Sequence, residues 1–111
     1  MTLDELRERM RGWIEGEYEV VVFLVEGRRV AYAVWQIQED SVFLRQFFVV
    51  RNRRRQGIGQ GAARILIEEI FPDRIPVNLD VLPHNEAGLR FWRALGFQDH
   101  LLTLERHPEN P

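Results

Sequence analysis

The chain has 111 residues, with 17 acidic and 15 basic side chains and a formal net charge of −2, so positive charge is local and the balance argues against a general nucleic-acid binder. Cysteine is absent and every one of the fifteen basic residues is an arginine. Disulfides, thiolate metal sites, a cysteine nucleophile and any side-chain amine open to acylation are thereby excluded. Hydrophobic content of 45% with 29% charged residues is that of a soluble globular protein, read as one domain over residues 1–111. The first residues hold acids and arginines and no long apolar run, which points to neither a signal peptide nor a membrane span and leaves a cytoplasmic location as the expectation.

Thr2 and Glu5 fit a capping box, and Leu3, Leu6, Met10, Trp13 and Ile14 follow at helical spacing, which predicts a helix from Leu3 to Ile14. Glu17 to Val25 is rich in β-branched residues, a strand, and Glu26-Gly27-Arg28 turns it into a second strand from Arg29 to Gln38. Both faces of that second strand are apolar, so cover on both sides of the sheet is expected. Glu39-Asp40 makes another turn, and Ser41 to Val50 forms a third antiparallel strand. An amphipathic helix carries Ile58, Ala62, Ile65, Leu66 and Ile70 on one stripe, with Pro72 just past its end. Pro76 to Leu82 reads as a strand parallel to the third one, because a helix separates the two. Asn85 is placed as the N-cap of a further helix, Leu89, Phe91, Trp92 and Leu95 as its apolar side, and Gly96 as the residue that ends it. A last strand is expected from Phe97 to Arg106. The fold class is therefore α/β (α+β): a mixed, mostly antiparallel central sheet flanked by helices on both faces.

The stretch around which these elements gather is Phe47-Phe48-Val49-Val50, then Arg51 to Gln56, then Gly57-Ile58-Gly59-Gln60-Gly61. A helix start leaves its first backbone N–H groups without intrahelical partners, and the helix dipole adds partial positive charge there. Glycines let a bulky anion approach those groups, and Arg51, Arg53, Arg54 and Arg55 crowd the same turn, so the stretch is suited to a pyrophosphate. The third glycine comes one place too early for a dinucleotide fingerprint, and no Gly-Lys-Ser/Thr of a nucleoside-triphosphate loop is present.

Arg54-Arg55-Gln56-Gly57-Ile58-Gly59 resembles the phosphate-binding signature of the GNAT superfamily of N-acetyltransferases, Gln/Arg-x-x-Gly-x-Gly/Ala. Asn85-Glu86-Ala87 through Phe91-Trp92-Arg93-Ala94-Leu95-Gly96-Phe97 is similar to a second block of that family. The resemblance implies transfer of an acetyl group from acetyl-coenzyme A to a primary amine by direct attack in a ternary complex, with no metal. It implies that Phe47, Phe48 and Val49 pair with the pantetheine arm, and that Arg54, Arg55, Gln56, Gly57, Ile58, Gly59 and Gln60 hold the pyrophosphate. Asn85, Phe91 and Trp92 would line the thiol end. A homodimer covering an open sheet edge is expected, with neither nucleic acid nor membrane as a partner.

Where the family often has a tyrosine to protonate the departing thiolate, this chain has Trp92, whose indole N–H can donate a hydrogen bond but does not give up its proton. Asp80 and His84 are the titratable groups best placed by sequence for catalysis, and Tyr32 and Glu39 are weaker candidates. The third strand offers Arg45 and Gln46 in place of a carboxylate base. The alternative reading is a catalytically weak module that binds coenzyme A or acetyl-coenzyme A, or a regulatory subunit.

Overall fold

The computed structural model describes residues 6–14, 18–50 and 57–109. The chain divides into two compact units, Met1–Val81 and Leu82–Pro111. The first is a mixed five-stranded sheet in the order β1-β2-β3-β4-β5, formed by β1 (Leu6–Ile14), β2 (Tyr18–Val25), β3 (Arg28–Ile37), β4 (Val42–Val49) and β5 (Val77–Asn78). Helix α1 (Ile58–Ile65) lies between β4 and β5 in the chain, and α2 (Glu86–Ala94) belongs to the second unit. Among the described residues no helix is long and apolar enough to cross a membrane.

The expected helix from Leu3 to Ile14 is a strand. Its first residues lie outside the described ones, but Leu6–Ile14 pairs antiparallel with β2 over the whole of that strand, from Leu6↔Val25 to Ile14↔Tyr18. The continuous apolar run Val20–Val25 on β2 needs a neighbour on each side, and a sheet ladder satisfies more backbone groups there than a helix laid across it.

β2 and β3 meet in a two-residue hairpin whose Glu26 and Gly27 have φ of 51° and 78°. Positive φ at both positions is a type I′ turn, whose twist matches that of the flanking strands. β3 and β4 pair antiparallel from Ala31↔Val49 to Ile37↔Val42, with a bulge: Val34 faces Gln46 and Trp35 faces Leu44, so Arg45 is the extra residue. β4 and β5 pair in parallel, as expected, but only at Val42↔Val77 and Phe43↔Asn78. The strand read from Pro76 to Leu82 is thus shorter than expected, although Val77, Leu79 and Val81 stay half-buried and alternate with exposed neighbours.

Residues paired across a ladder share a face. Glu19, Trp35 and Leu44 share one; Val20, Val34 and Gln46 share the other. The first face is the dry one, where Val21, Phe23, Ala33, Trp35, Val42 and Leu44 are all buried. Ile58, Ala62 and Ile65 of α1, and Leu66 just after it, are buried with them. After Ile65 the helix widens into a π-helical turn, Leu66–Ile70, and Phe71 N–H donates to Leu66 C=O at 2.7 Å. That turn swings Phe71 edge-on to Trp35, ring centroids 5.3 Å apart, before Pro72 forces extended backbone.

In the second unit the last strand expected from Phe97 to Arg106 does not form. Among the described residues no ladder includes this segment, and Leu101, Leu102 and Leu104 are exposed. Alternating leucines favour a strand only where a neighbouring strand accepts its backbone groups, and α2 supplies none.

Candidate functional site

Helix α1 begins in the manner the glycines demand. Gly57 caps it at φ 77° and ψ 1°, no side chain closes the cap, and the first turn holds no acid. The first helical bond runs from Gly61 N–H to Gly57 C=O at 3.0 Å. The N–H groups of Ile58, Gly59 and Gln60 precede it and have no acceptor within the helix. Among the described residues a Cβ on Gly57 would meet nothing within 4 Å, so none of them blocks this end on that side. Ile58 is fully buried and anchors the helix start to the core, while Gln60 is exposed. This arrangement concentrates positive potential at an accessible backbone, the physical requirement for gripping an anion. Arg54, Arg55 and Gln56 lie outside the described residues.

Phe47, Phe48 and Val49 form the end of β4, facing Ala33, Tyr32 and Ala31 of β3. Phe47 and Val49 are half-buried, and Phe48 is 41% exposed and lies 5.6 Å from the Tyr32 ring. The ladder with β5 has already ended at Phe43, so β4 runs on from Leu44 to Val49 beyond its last position opposite β5. Asp80 follows β5 and is exposed; Glu39 is exposed in the turn between β3 and β4.

In the second unit Asn85 caps α2, its Oδ1 accepting the Gly88 N–H at 3.0 Å. The amide lies where a Cβ on Gly88 would be, 2.5 Å from Nδ2, so cap and glycine fit as a pair. At the other end Gly96 N–H donates to Arg93 C=O and Phe97 N–H to Trp92 C=O, with Gly96 at φ 98°. These two bonds make a Schellman motif, sealed by the Trp92 and Phe97 rings at 5.2 Å. Phe91 meets Trp92 edge-on at 4.8 Å, and both are half-buried. Arg93 closes the unit with a bidentate pair to Asp99, 2.8 Å at its shortest. His84 is exposed within the turn closed by Asn85 N–H and Leu82 C=O, and its side chain has no bonded partner among the described residues. Asn85→Ala is expected to cost about 1 kcal/mol of helix stability, read as an approximately fivefold fall in hydrogen-exchange protection of the α2 amides. Unchanged protection would mean that the cap contributes nothing.

One pairing in the first unit has no signal in the sequence. The bulge turns Arg45 onto the face of Gln46, where its Nη1 donates to the Tyr18 hydroxyl at 3.1 Å and its guanidinium lies 5.3 Å from the Tyr18 ring centroid. Nothing local links residues 27 apart; only the absence of an acid near Arg45 on β4 was visible. Among the described residues no group of three His, Asp or Glu is placed to hold a metal ion.

Against known proteins, the chain matches the family described as Acetyltransferase (GNAT) family over residues 2–97. No curated protein matches it. Among solved structures, a mutant of the BH1408 protein from Bacillus halodurans superposes with a TM-score of 0.72 at 25% identity, covering 84% of this chain and 68% of that one. The ribosomal-protein-S18-alanine N-acetyltransferase from Escherichia coli gives 0.70 at 25% identity, with 79% of this chain covered. The match spans 57% of that enzyme's length. An aminoglycoside N-acetyltransferase solved in complex with CoA shares the fold, with a TM-score of 0.66 at 20% identity over 83% of this chain and 67% of its own. With a family match that takes in the sheet, the glycine-capped helix and the Asn85 helix together, the chain belongs to the GNAT acetyltransferase family.

Proposed function

We propose that this protein transfers an acetyl group from acetyl-coenzyme A to a primary amine, by direct attack of the amine on the thioester. The observation that carries the reading is the start of α1, with its left-handed Gly57 and acid-free first turn, in a chain of this family. The N–H groups of Ile58, Gly59 and Gln60 hold the diphosphate, assisted by Arg54, Arg55 and Gln56, which come just before them in the sequence. Each charge-assisted hydrogen bond to phosphate contributes about 1.5–3 kcal/mol. β4 beyond the end of its β5 ladder guides the pantetheine arm, through the backbone of Phe47, Phe48 and Val49.

Bound acetyl-coenzyme A supplies an activated acyl group. The neutral amine nitrogen forms the new C–N bond, the C–S bond breaks so that coenzyme A leaves as its thiolate, and the proton left surplus on nitrogen goes to a base. Val50 N–H donates to Val30 C=O of β3 and successive N–H groups alternate, so the Val49 N–H points away from β3 and stabilises charge developing on the carbonyl oxygen. Asp80, His84 or water takes the proton from the amine. Trp92 favours the second reading, a coenzyme A-binding module without turnover, because its ring is packed between Phe91 and Phe97 and its N–H is no acid.

Thiol release from acetyl-coenzyme A across a panel of amines separates the two. Amine-dependent release with acetylated product is the expected result. Cofactor binding without any amine-dependent turnover leaves only the module.

A further inference from the structure

On β4 the residues that precede Phe47 are a cation and an amide, and both are exposed. Arg45 is the residue added by the bulge, the kind of local irregularity that re-aims a side chain. Among the described residues its partners are the Tyr18 hydroxyl and ring, and no carboxylate pairs with it. The Tyr18 hydroxyl accepts from Arg45, which leaves its own proton to donate elsewhere. Gln46 shares this face and its side chain has no bonded partner among the described residues. One step further on the same face, Phe48 lies against Tyr32. A strand rises roughly 3.3 Å per residue, so the polar group sits roughly 7–10 Å along β4 from the aromatic pair.

An arginine fork beside a hydroxyl donor matches a carboxylate and repels a second cation. Building on the acetyl-transfer reading, we propose that Arg45 and Tyr18 hold a carboxylate of the amine acceptor, so that the substrates are amino acids or other carboxylate-bearing amines. Gln46 lies beside that carboxylate, and the Tyr32–Phe48 pair supports the carbon chain leading to the reacting nitrogen. Diamines and polyamines are disfavoured, because their second charge would meet the guanidinium.

The test uses ω-amino acids of two to six carbons, each matched with its own amide, as acceptors and, in N-acetylated form, as calorimetric ligands. At least a tenfold preference for the acid of one chain length is expected in both kcat/KM and affinity. Arg45→Gln should remove that preference through KM, Arg45→Lys should restore part of it, and Tyr18→Phe should weaken it with the ring kept. Equal affinity for acid and amide, no binding of any acid, or a preference that survives Arg45→Gln would overturn the assignment. A binding preference lost in Arg45→Gln, in a protein with no turnover, would sink acetyl transfer and leave the carboxylate site standing.

Discussion

Gly57→Val should reduce acetyl-coenzyme A affinity at least 100-fold while the sheet remains folded. Gly57 holds φ at 77°, a region where an L residue costs about 1–2 kcal/mol and a β-branched one more. Among the described residues a Cβ there would touch nothing within 4 Å, so the penalty is carried by the backbone rather than by a clash with any of them. The cheapest relief is to leave the left-handed region, and that re-aims the N–H groups of Ile58, Gly59 and Gln60. Several convergent hydrogen bonds at about 1.5–3 kcal/mol each are then lost together, which is why a single backbone change has so large an effect. Gln60→Glu provides the control with opposite signs. It is exposed and nearly isosteric, and an acid in an acid-free first turn should stabilise α1 by about 0.3–1 kcal/mol. The same charge should weaken diphosphate binding by about tenfold, or about 1.4 kcal/mol. Calorimetry with acetyl-coenzyme A and a thermal melt read both quantities. Full affinity in Gly57→Val, or in Gln60→Glu, would mean that the helix start does not grip the cofactor.

What could be read from the residues alone was what is encoded locally. The hairpin at Glu26-Gly27, the glycine entry into α1, and the Asn85 and Gly96 ends of α2 each depend on side-chain chemistry within a few residues, and each is found where the sequence places it. In β1 the residues Leu6, Met10, Trp13 and Ile14 fit a helical stripe, whereas the deciding fact is the demand of β2 for a neighbour, which no window of β1 contains. The segment after Phe97 failed in the opposite sense: its leucines suit a strand, but no ladder takes them up. The cofactor end of the site was legible, since an anion at a helix start is a local device. Its acceptor end was not, because Arg45 reaches Tyr18 only through the register of β2 on β3 and β3 on β4, with a bulge that shifts it by one residue.

Trp35→Ala is expected to be the most destabilising single change in the first unit. Trp35 is only 1% exposed, and its ring meets Phe71 edge-on at 5.3 Å. Truncating a buried tryptophan costs about 3–5 kcal/mol, a large share of the roughly 5–15 kcal/mol that holds a domain of ordinary stability. A fall in Tm on the order of 15 °C follows. Trp35→Phe keeps most of the volume and should cost less than half as much, and a double-mutant cycle with Phe71→Leu should show about 0.5–1.5 kcal/mol of ring-to-ring coupling. The consequence reaches the site, because Trp35 faces Leu44, the ladder position immediately before the bulge that presents Arg45. A cavity at Trp35 lets β4 settle toward α1, and the Arg45 guanidinium then loses its seat on the Tyr18 ring. Trp35→Ala should therefore weaken binding of an N-acetylated ω-amino acid at a temperature where the sheet is still folded, while Trp35→Phe retains it. A melt shifted by less than about 4 °C would show that the Trp35–Phe71 contact is peripheral to the core.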